Sequence, residues 1–224
     1  MKLITHQSKL SDIILQDPST ITVLDRFGIE LGVGDTTVDQ ACASHALDID
    51  FFIAILNTFI NEGYFPQQAM SQFSAEKIVD YLRKTNDYYQ HNVLPNIERH
   101  FGFLIAKAPS HNNNLVLMKQ FFDEMKAELL QRIVTDNEQW FPEILKNGGY
   151  SSPVTFTSWQ DTDATIEDKI NDLINMLIVH LKGDYDHNLG YAVVVAVFSL
   201  KKDIKQNNRI RNRLLSPICN KTSQ

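Results

Sequence analysis

Apolar residues recur along most of the chain with the period of one helix face, which predicts an all-α protein. Toward the amino-terminal end, four apolar groups separated by turn residues predict four short helices, near residues 10–14, 21–27, 37–46 and 51–59. Gly28 follows the second group and Gly63 follows the fourth, and glycine at these places is typical of a helix end. This part of the chain therefore resembles a small helical module rather than part of one long bundle.

From Ser74 onward the apolar pattern lengthens and predicts four long helices. The first of these helices begins near Ser74, and Pro95 should kink it or end its first half. The other three span residues 113–145, 165–181 and 189–215. A segment rich in glycine, serine and proline, residues 147–163, predicts a loop or a short hairpin. Long helices with short connections predict an antiparallel four-helix bundle. The expected domains are a module at 1–65, a linker at 66–73, the bundle at 74–219 and a tail at 220–224.

The charge of the chain is negative overall, but one segment is strongly basic. A net charge of −6 argues against general affinity for nucleic acid. The exception is residues 201–213, where one acid, Asp203, stands among six basic residues: Lys201, Lys202, Lys205, Arg209, Arg211 and Arg213. This segment is either a solvated helix face or a docking surface for an acidic partner or nucleic acid.

The composition favours a soluble, cytoplasmic protein without a membrane partner. The longest apolar run, residues 190–200, has about half of the roughly 20 residues that a membrane helix needs. The first residues lack the apolar stretch and cleavage site of a secretory signal. Cys42 and Cys219 lie far apart in the sequence, which suits a reducing compartment better than a disulfide scaffold.

Residues 23–42 resemble the amino-terminal module of the iron–sulfur cluster repair proteins, known as the RIC or ScdA type. They read VLDRFGIELGVGDTTVDQAC, and the family has a phrase like F-G-I-D-F-C-C-G-G followed by T-L-x-x-A-C. Seven residues match the family phrase: Phe27, Gly28, Ile29, Gly34, Thr37, Ala41 and Cys42. The vicinal cysteine pair of the family is replaced by Gly32 and Val33.

Three later stretches, residues 81–89, 129–142 and 202–211, resemble the ligand-bearing helices of hemerythrin-like di-iron proteins. The resemblance places histidine at 86, 132 and 207 and glutamate at 136 and 211. This chain instead has Asn86, Arg132, Asn207, Asp136 and Arg211. Together the two resemblances cover about 200 of the 224 residues in the family's order.

The resemblance implies a di-iron centre that repairs damaged iron–sulfur clusters, but the replaced residues oppose it. An arginine keeps its proton and cannot ligate a metal. Arg132 and Asp136 are four residues apart, as are Asp203, Asn207 and Arg211, so each set shares a helix face. We therefore expect an internal arginine–carboxylate and asparagine network in place of iron. The alternative is that Arg132 and Arg211 reach solvent.

A few other residues are candidates for metal ligands or for a reactive thiol. His111 falls near the position of the family's second-helix histidine, and Asp136 retains a carboxylate. His180, Asp184 and His187 follow i, i+4, i+7 spacing, although Gly183 weakens a helix there, so a helix end with solvated polar groups is the alternative. Cys42 is either a small buried residue or a redox thiol.

These observations favour a non-enzymatic binding or regulatory protein that has lost the di-iron centre, with no catalytic residue and no cofactor. Its expected partner is another protein or a second copy of itself, contacted through residues 201–213 or the amino-terminal module. A stress-response protein with a rearranged iron site, active in cluster repair or in sensing oxygen or nitric oxide, is the alternative. A nucleic-acid-associated regulator is a weaker one.

Overall fold

A computed structural model describes residues 3–66, 73–109, 112–146 and 153–219, with side chains described for all of these except 153–159, 218 and 219. Within these ranges the chain is helical and forms no strand, and Lys9 and Thr37 make an isolated bridge. The predicted all-α class is therefore confirmed. No helix in the described ranges is long and apolar enough to cross a membrane.

The four short helices lie where the apolar groups predict them: α1 at Leu10–Gln16, α2 at Thr20–Arg26, α3 at Val38–Ser44 and α4 at Ile49–Ile60. Side chains define two of their starts. Thr37 and Gln40 form a reciprocal capping box before α3, and Asp48 accepts a hydrogen bond from the Phe51 amide at the start of α4. Gly28 after α2 has a φ of 75°, in the left-handed region that glycine tolerates.

Four longer helical runs follow within the described ranges, and each of them has one π segment there, a turn in which one extra residue is accommodated. The first comprises α5 (Ala75–Tyr88), π1 (Tyr89–Val93) and α6 (Leu94–Lys107). The second comprises α7 (Asn113–Thr135), π2 (Asp136–Trp140) and α8 (Phe141–Lys146). The third is α9 (Pro153–Asn175) with π3 (Met176–His180), and the last is α10 (His187–Ile210), π4 (Arg211–Leu215) and α11 (Ser216–Cys219).

One predicted boundary agrees with the structure and one needs correction. Pro95 lies in the first turn of α6, directly after π1, so the first half of the predicted helix ends beside the proline, while the backbone stays helical across this point. The predicted loop at 147–163 is wrong from Pro153 onward, since α9 begins at that residue. Proline suits the first turn of a helix, which explains this start. Residues 147–152 lie outside the described ranges.

The described residues fall into two compact units that do not follow chain order. Unit 1 takes residues from Met1–Thr85, Glu143–Ser151 and Gln206–Gln224, and unit 2 takes residues from Asn86–Pro142 and Ser152–Lys205. The predicted linker at 66–73 is described only at its two ends, and the predicted division into domains stays a prediction.

Unit 1 has an aromatic centre. Phe27 lies 4.9 Å from Phe52 in an edge-to-face contact and stacks on Tyr81 at 5.4 Å. Asn57 on α4 exchanges two hydrogen bonds with the backbone of Ile4, at 2.9 and 3.0 Å. These bonds attach the amino-terminal segment to α4.

Unit 2 has one hydrophobic core to which four helical segments contribute. Its innermost side chains come from α6, α7, α9 and α10, with Tyr89 of π1 and Leu177 of π3. Representative members are Phe101, Phe122, Ile170 and Val197, none of them exposed.

A buried arginine–carboxylate cluster as the candidate functional site

The candidate site is a cluster of polar side chains inside unit 2. Arg132 lies in the last turn of α7, Asp136 is the first residue of π2, Asp163 lies on α9 and Asn86 lies near the end of α5. All four side chains are buried. A cluster of this kind in a core is costly unless its charges are paired.

The guanidinium of Arg132 lies between two carboxylates. Its Nη1 is 3.1 Å from Oδ1 of Asp163, and its Nε is 3.8 Å from Oδ2 of Asp136. The exposed fractions of the three side chains are 1%, 6% and 0% for Arg132, Asp163 and Asp136. Because none of them is open to solvent, the guanidinium offsets the charges of the two carboxylates in a place where water does not.

Asn86 completes the surroundings of Asp136. Its Nδ2 donates a hydrogen bond to Oδ2 of Asp136 at 3.2 Å and lies 3.4 Å from Oδ1 of Asn137, which also accepts. The amide carries no charge, so it stabilises the ionised carboxylate only through its N–H dipole. Asn86 therefore donates to the same oxygen of Asp136, Oδ2, that faces Nε of Arg132.

The pKa of Arg132 rises above its usual value. Burial alone would lower it, but the negative charges of Asp163 and Asp136 oppose burial, with further contributions from Tyr89 and Glu167. The net direction favours the charged form. The interior of unit 2 therefore contains a permanent cation.

The residues of this cluster do not fit a di-iron centre. A guanidinium keeps its protons and cannot donate a lone pair to a metal, and a side-chain amide is a weak ligand beside imidazole. The two carboxylates, which could bridge cations, already face Arg132. In the described part of the chain, no three histidine, cysteine, aspartate or glutamate side chains come together as a metal-binding group.

The π segments lie close to the positions that carry the resemblance to di-iron proteins. Asn86 is three residues before π1, Asp136 is the first residue of π2 and Arg211 is the first residue of π4. Such segments occur mostly as single-turn insertions in α-helices and are frequent at functional sites. This backbone feature is independent of the residue types on which the resemblance is based.

Asn207 and Arg211 lie in unit 1, and both are buried. Arg132 is buried as well, so the alternative in which Arg132 and Arg211 reach solvent is wrong. The side-chain oxygen and nitrogen of Asn207 have no hydrogen-bond partner among the described residues. Its carboxylate neighbour on the same helix, Asp203, is buried in unit 2.

The other predicted metal ligands are not brought together. His180 ends π3, Asp184 lies in a bend after Gly183 (φ 86°) and His187 begins α10. The predicted i, i+4, i+7 face is therefore wrong, because no helix spans the three residues. All three are exposed, as expected of a solvated helix end. His111 lies outside the described residues.

The predicted basic surface is divided between the two units. Lys201, Lys202 and Lys205 belong to unit 2, and the last two are exposed. In unit 1, Arg213 donates a hydrogen bond to the Tyr64 carbonyl at 2.6 Å, and Arg209 lies 3.7 Å from Glu62. Both arginines are partly buried by these contacts. They hold the chain near the end of α4 and offer little to a partner.

Cys42 is buried in unit 1, and its environment opposes a redox role. Burial, helped by the negative charges of Asp39 and Asp48, raises the pKa of the thiol to about 11. A thiol with a raised pKa contains little of the nucleophilic thiolate near neutral pH. Gly32, where the resemblance to the cluster repair proteins places a cysteine, has a φ of 92°, a backbone conformation in which a cysteine side chain would be strained.

Asp163 is the site residue that the sequence interpretation missed, because the surrounding segment was assigned to a loop. The sequence does contain a pattern that could have indicated Asp163. Asp163, Ile166, Ile170, Leu173 and Leu177 follow helical spacing, and all five are buried. An acid aligned with an apolar helix face indicates a buried carboxylate that needs a cation.

In comparisons with known proteins, no protein-family model matches this chain, and no curated protein matches it.

Proposed function

We propose that this protein is a divergent relative of the iron–sulfur cluster repair proteins, with a hemerythrin-like antiparallel bundle that has lost its di-iron centre. We propose further that it acts as a non-enzymatic binding or regulatory protein. The observation that carries the proposal is the guanidinium of Arg132 between Asp136 and Asp163, with all three side chains buried in the core of unit 2. A fixed cation stands at a position where the family resemblance predicts a ligand.

Electrostatics supports this interpretation. Two buried carboxylates without a cation would be strongly destabilising, and either a metal or an arginine can supply the missing charge. Arg132 supplies it without a cofactor, and Asn86 keeps a neutral hydrogen bond to the second carboxylate. The π segments next to Asn86, Asp136 and Arg211 support descent from a helical metal site.

Iron analysis tests the loss of the centre. The protein is produced in iron-supplemented medium, exposed to excess Fe(II) without oxygen and then desalted. We expect far less than one iron per chain, no near-ultraviolet absorption from oxo-bridged iron, and the same thermal unfolding midpoint with and without a chelator. Retention of near two equivalents would overturn the proposal and favour the rearranged-iron alternative.

A matched pair of variants tests whether position 132 is a lost ligand position. Arg132→His removes the fixed cation and places an imidazole beside two carboxylates, a donor set suited to a divalent metal. Arg83→His makes the same change at an exposed position on α5. We expect Fe(II) to raise the unfolding midpoint of Arg132→His and to leave Arg83→His and the wild type unchanged. Equal responses in the two variants would count against a ligand position.

A further inference from the structure

A cavity lies between α7 and α9, next to the buried cluster of unit 2. Its volume is about 350 Å³, within the range of roughly 300–1,000 Å³ that is usual for small-molecule sites. All the residues that line it belong to unit 2. Its floor includes Arg132 and Ile166, which are buried, and its rim includes the exposed Glu128, Gln131 and Asp161. The cavity therefore ends at the arginine that occupies a predicted ligand position.

One wall of the cavity is an indole. Trp140 is the last residue of π2, the segment whose first residue is the buried Asp136. Trp140 is half-buried, so its side chain is partly open to solvent. Among the aromatic side chains, an indole attracts organic cations best, because the face of the ring is negative. This wall suits a ligand with a flat apolar body and a positive charge.

The hydroxyl groups around the cavity can accept hydrogen bonds but have no proton left to donate. Oγ1 of Thr135 already donates to the Gln131 carbonyl at 3.0 Å, and Oγ1 of Thr165 donates to the Asp161 carbonyl at 2.9 Å. A hydroxyl that has used its proton can only accept a further hydrogen bond. The carboxylate of Asp161 makes no ion pair with a side chain in the described part of the chain. These walls therefore fit a ligand that donates hydrogen bonds.

The charge around the cavity is negative. Four acids line it or flank Arg132, namely Glu128, Asp136, Asp161 and Asp163. The described bases that line it or pair with its rim are Arg132 and Lys169, and both are engaged. Arg132 is shared by the two buried carboxylates, and Lys169 pairs with Glu128. A cleft with an excess of one charge attracts ligands of the opposite charge, which here favours a cation over an anion.

We propose that this cavity binds a small organic cation, a protonated amine carried on a flat apolar body. The ammonium group donates to Asp161 and to the threonine oxygens, and the body packs between Trp140 and Ile166. Arg132 forms the floor without repelling the ligand, because the two buried carboxylates offset its charge. This ligand class deepens the proposed binding function and rests on it.

Three probes with the same aromatic body test the charge of the ligand. Phenylethylamine is a cation at neutral pH, phenylethanol is neutral and phenylacetate is an anion, and calorimetric titration of the full wild-type chain measures their dissociation constants. We expect a constant on the order of a millimolar or tighter for the amine, because so small a molecule buries few atoms. The alcohol should bind at least about tenfold more weakly, and phenylacetate should not bind. No binding of the amine, or equal binding of phenylacetate, overturns the proposal.

A matched pair of variants tests the carboxylate that receives the amine. Asp161→Asn keeps the size of the side chain and removes its charge, so it should weaken phenylethylamine binding at least about fivefold and leave phenylethanol binding unchanged. Asp172→Asn, at an exposed acid further along α9 and outside the cavity, is the control and should bind the amine as the wild type does. Both positions are exposed, and circular dichroism checks that both variants fold. Equal constants for the two variants would rule out this site.

Tryptophan emission locates the bound amine. The chain has two tryptophans, so Trp159→Phe leaves Trp140 as the single reporter. Phenylethylamine should change the emission along a saturable curve, with the dissociation constant that calorimetry gives for the wild type. Binding that leaves the emission of Trp140 unchanged would place the amine elsewhere and overturn the cavity as its site.

The ligand class and the proposed function fail by different results. Retention of iron by the wild type overturns the loss of the di-iron centre, whatever the amine does. The amine titrations use protein that iron analysis has shown to be free of metal. A chain without iron that binds none of the three probes would leave the loss of the centre intact and overturn the organic cation.

Discussion

Nη1 of Arg132 lies 3.1 Å from Oδ1 of Asp163, and the two side chains are almost completely removed from solvent. The contact joins α7 to α9 through opposite charges in the interior of unit 2. Breaking a buried ion pair by removing one partner is costly, because the remaining charge stays buried. The stability of unit 2 should therefore depend strongly on this pair.

Asp163→Ala should destabilise the protein by about 3–5 kcal/mol, since Arg132 would lose the nearer of its two carboxylate contacts and keep the more distant one, Asp136. Urea unfolding followed by circular dichroism measures the change. Asp168→Ala, an exposed acid on the same helix, is the control and should change the free energy of unfolding by less than about 0.5 kcal/mol. If both variants unfold at the same urea concentration, the pair contributes nothing.

Asn86→Ala should cost about 1–3 kcal/mol, because Asp136 would lose a hydrogen bond in a buried place. The same unfolding measurement applies. Asn92→Ala, at an exposed asparagine of π1, is the comparison and should lie near the wild type. A neutral effect of Asn86→Ala would mean that Asp136 obtains all its stabilisation from other groups.

The ion pair between Asp48 and Lys77 predicts a pH dependence. The hydrogen bond from Lys77 lowers the pKa of Asp48 below its usual 3.8, against the opposing effect of partial burial. A lowered folded-state pKa adds stability above the unfolded pKa, and this stability is lost as the pH falls through the folded value. Asp48→Asn keeps a capping side chain but removes the charge.

The wild type should accordingly exceed Asp48→Asn in stability above about pH 4, and the two should converge in stronger acid. The difference should stay below about 1 kcal/mol, because 36% of the Asp48 side chain and 45% of the Lys77 side chain remain exposed. Thermal unfolding at a series of pH values measures it. A difference that grows as the pH falls would contradict the assigned direction of the shift.

Cys42 should resist alkylation in the folded protein. Its pKa of about 11 leaves little thiolate near neutral pH, and burial hinders access. Iodoacetamide labelling, followed by mass spectrometry of the peptide that contains Cys42, should be much slower in the native protein than in urea. Equal rates in the two conditions would restore the redox-thiol interpretation.

The sequence predicts the helices well where apolar residues repeat, and less well where they do not. Helices α2 and α4 lie within a residue or two of the apolar groups at 21–27 and 51–59. The start of α9 was not predicted because the glycine, serine and proline residues just before it favour a loop, and because its first turns mix three apolar residues with threonine, serine and aspartate, which have weak helix preference. Helix α9 is stabilised by its later residues, which pack in the hydrophobic core of unit 2.

The candidate site was also predicted only in part, because some of its contacts join distant parts of the sequence. The spacing of four between Arg132 and Asp136 follows from helix geometry and is visible in the sequence. Their pairing with Asp163 is a tertiary contact between distant parts of the chain, which local patterns do not encode. The neighbouring Asn86 was expected at a lost ligand position, and its hydrogen bond to Asp136 agrees with the expected network.

The π segments have a consequence for how this chain tolerates insertions and deletions. Tyr89 and Leu94, and likewise Asp136 and Phe141, are successive buried residues five positions apart, where a uniform α-helix would bury residues three or four apart. Removing one of the exposed residues of π2 would leave a regular helix in which Asp136 and Phe141 are four positions apart, so both side chains could still point inward. A one-codon deletion there should therefore be tolerated better than one in the middle of α7, where it would rotate all the following residues of the helix by about 100°.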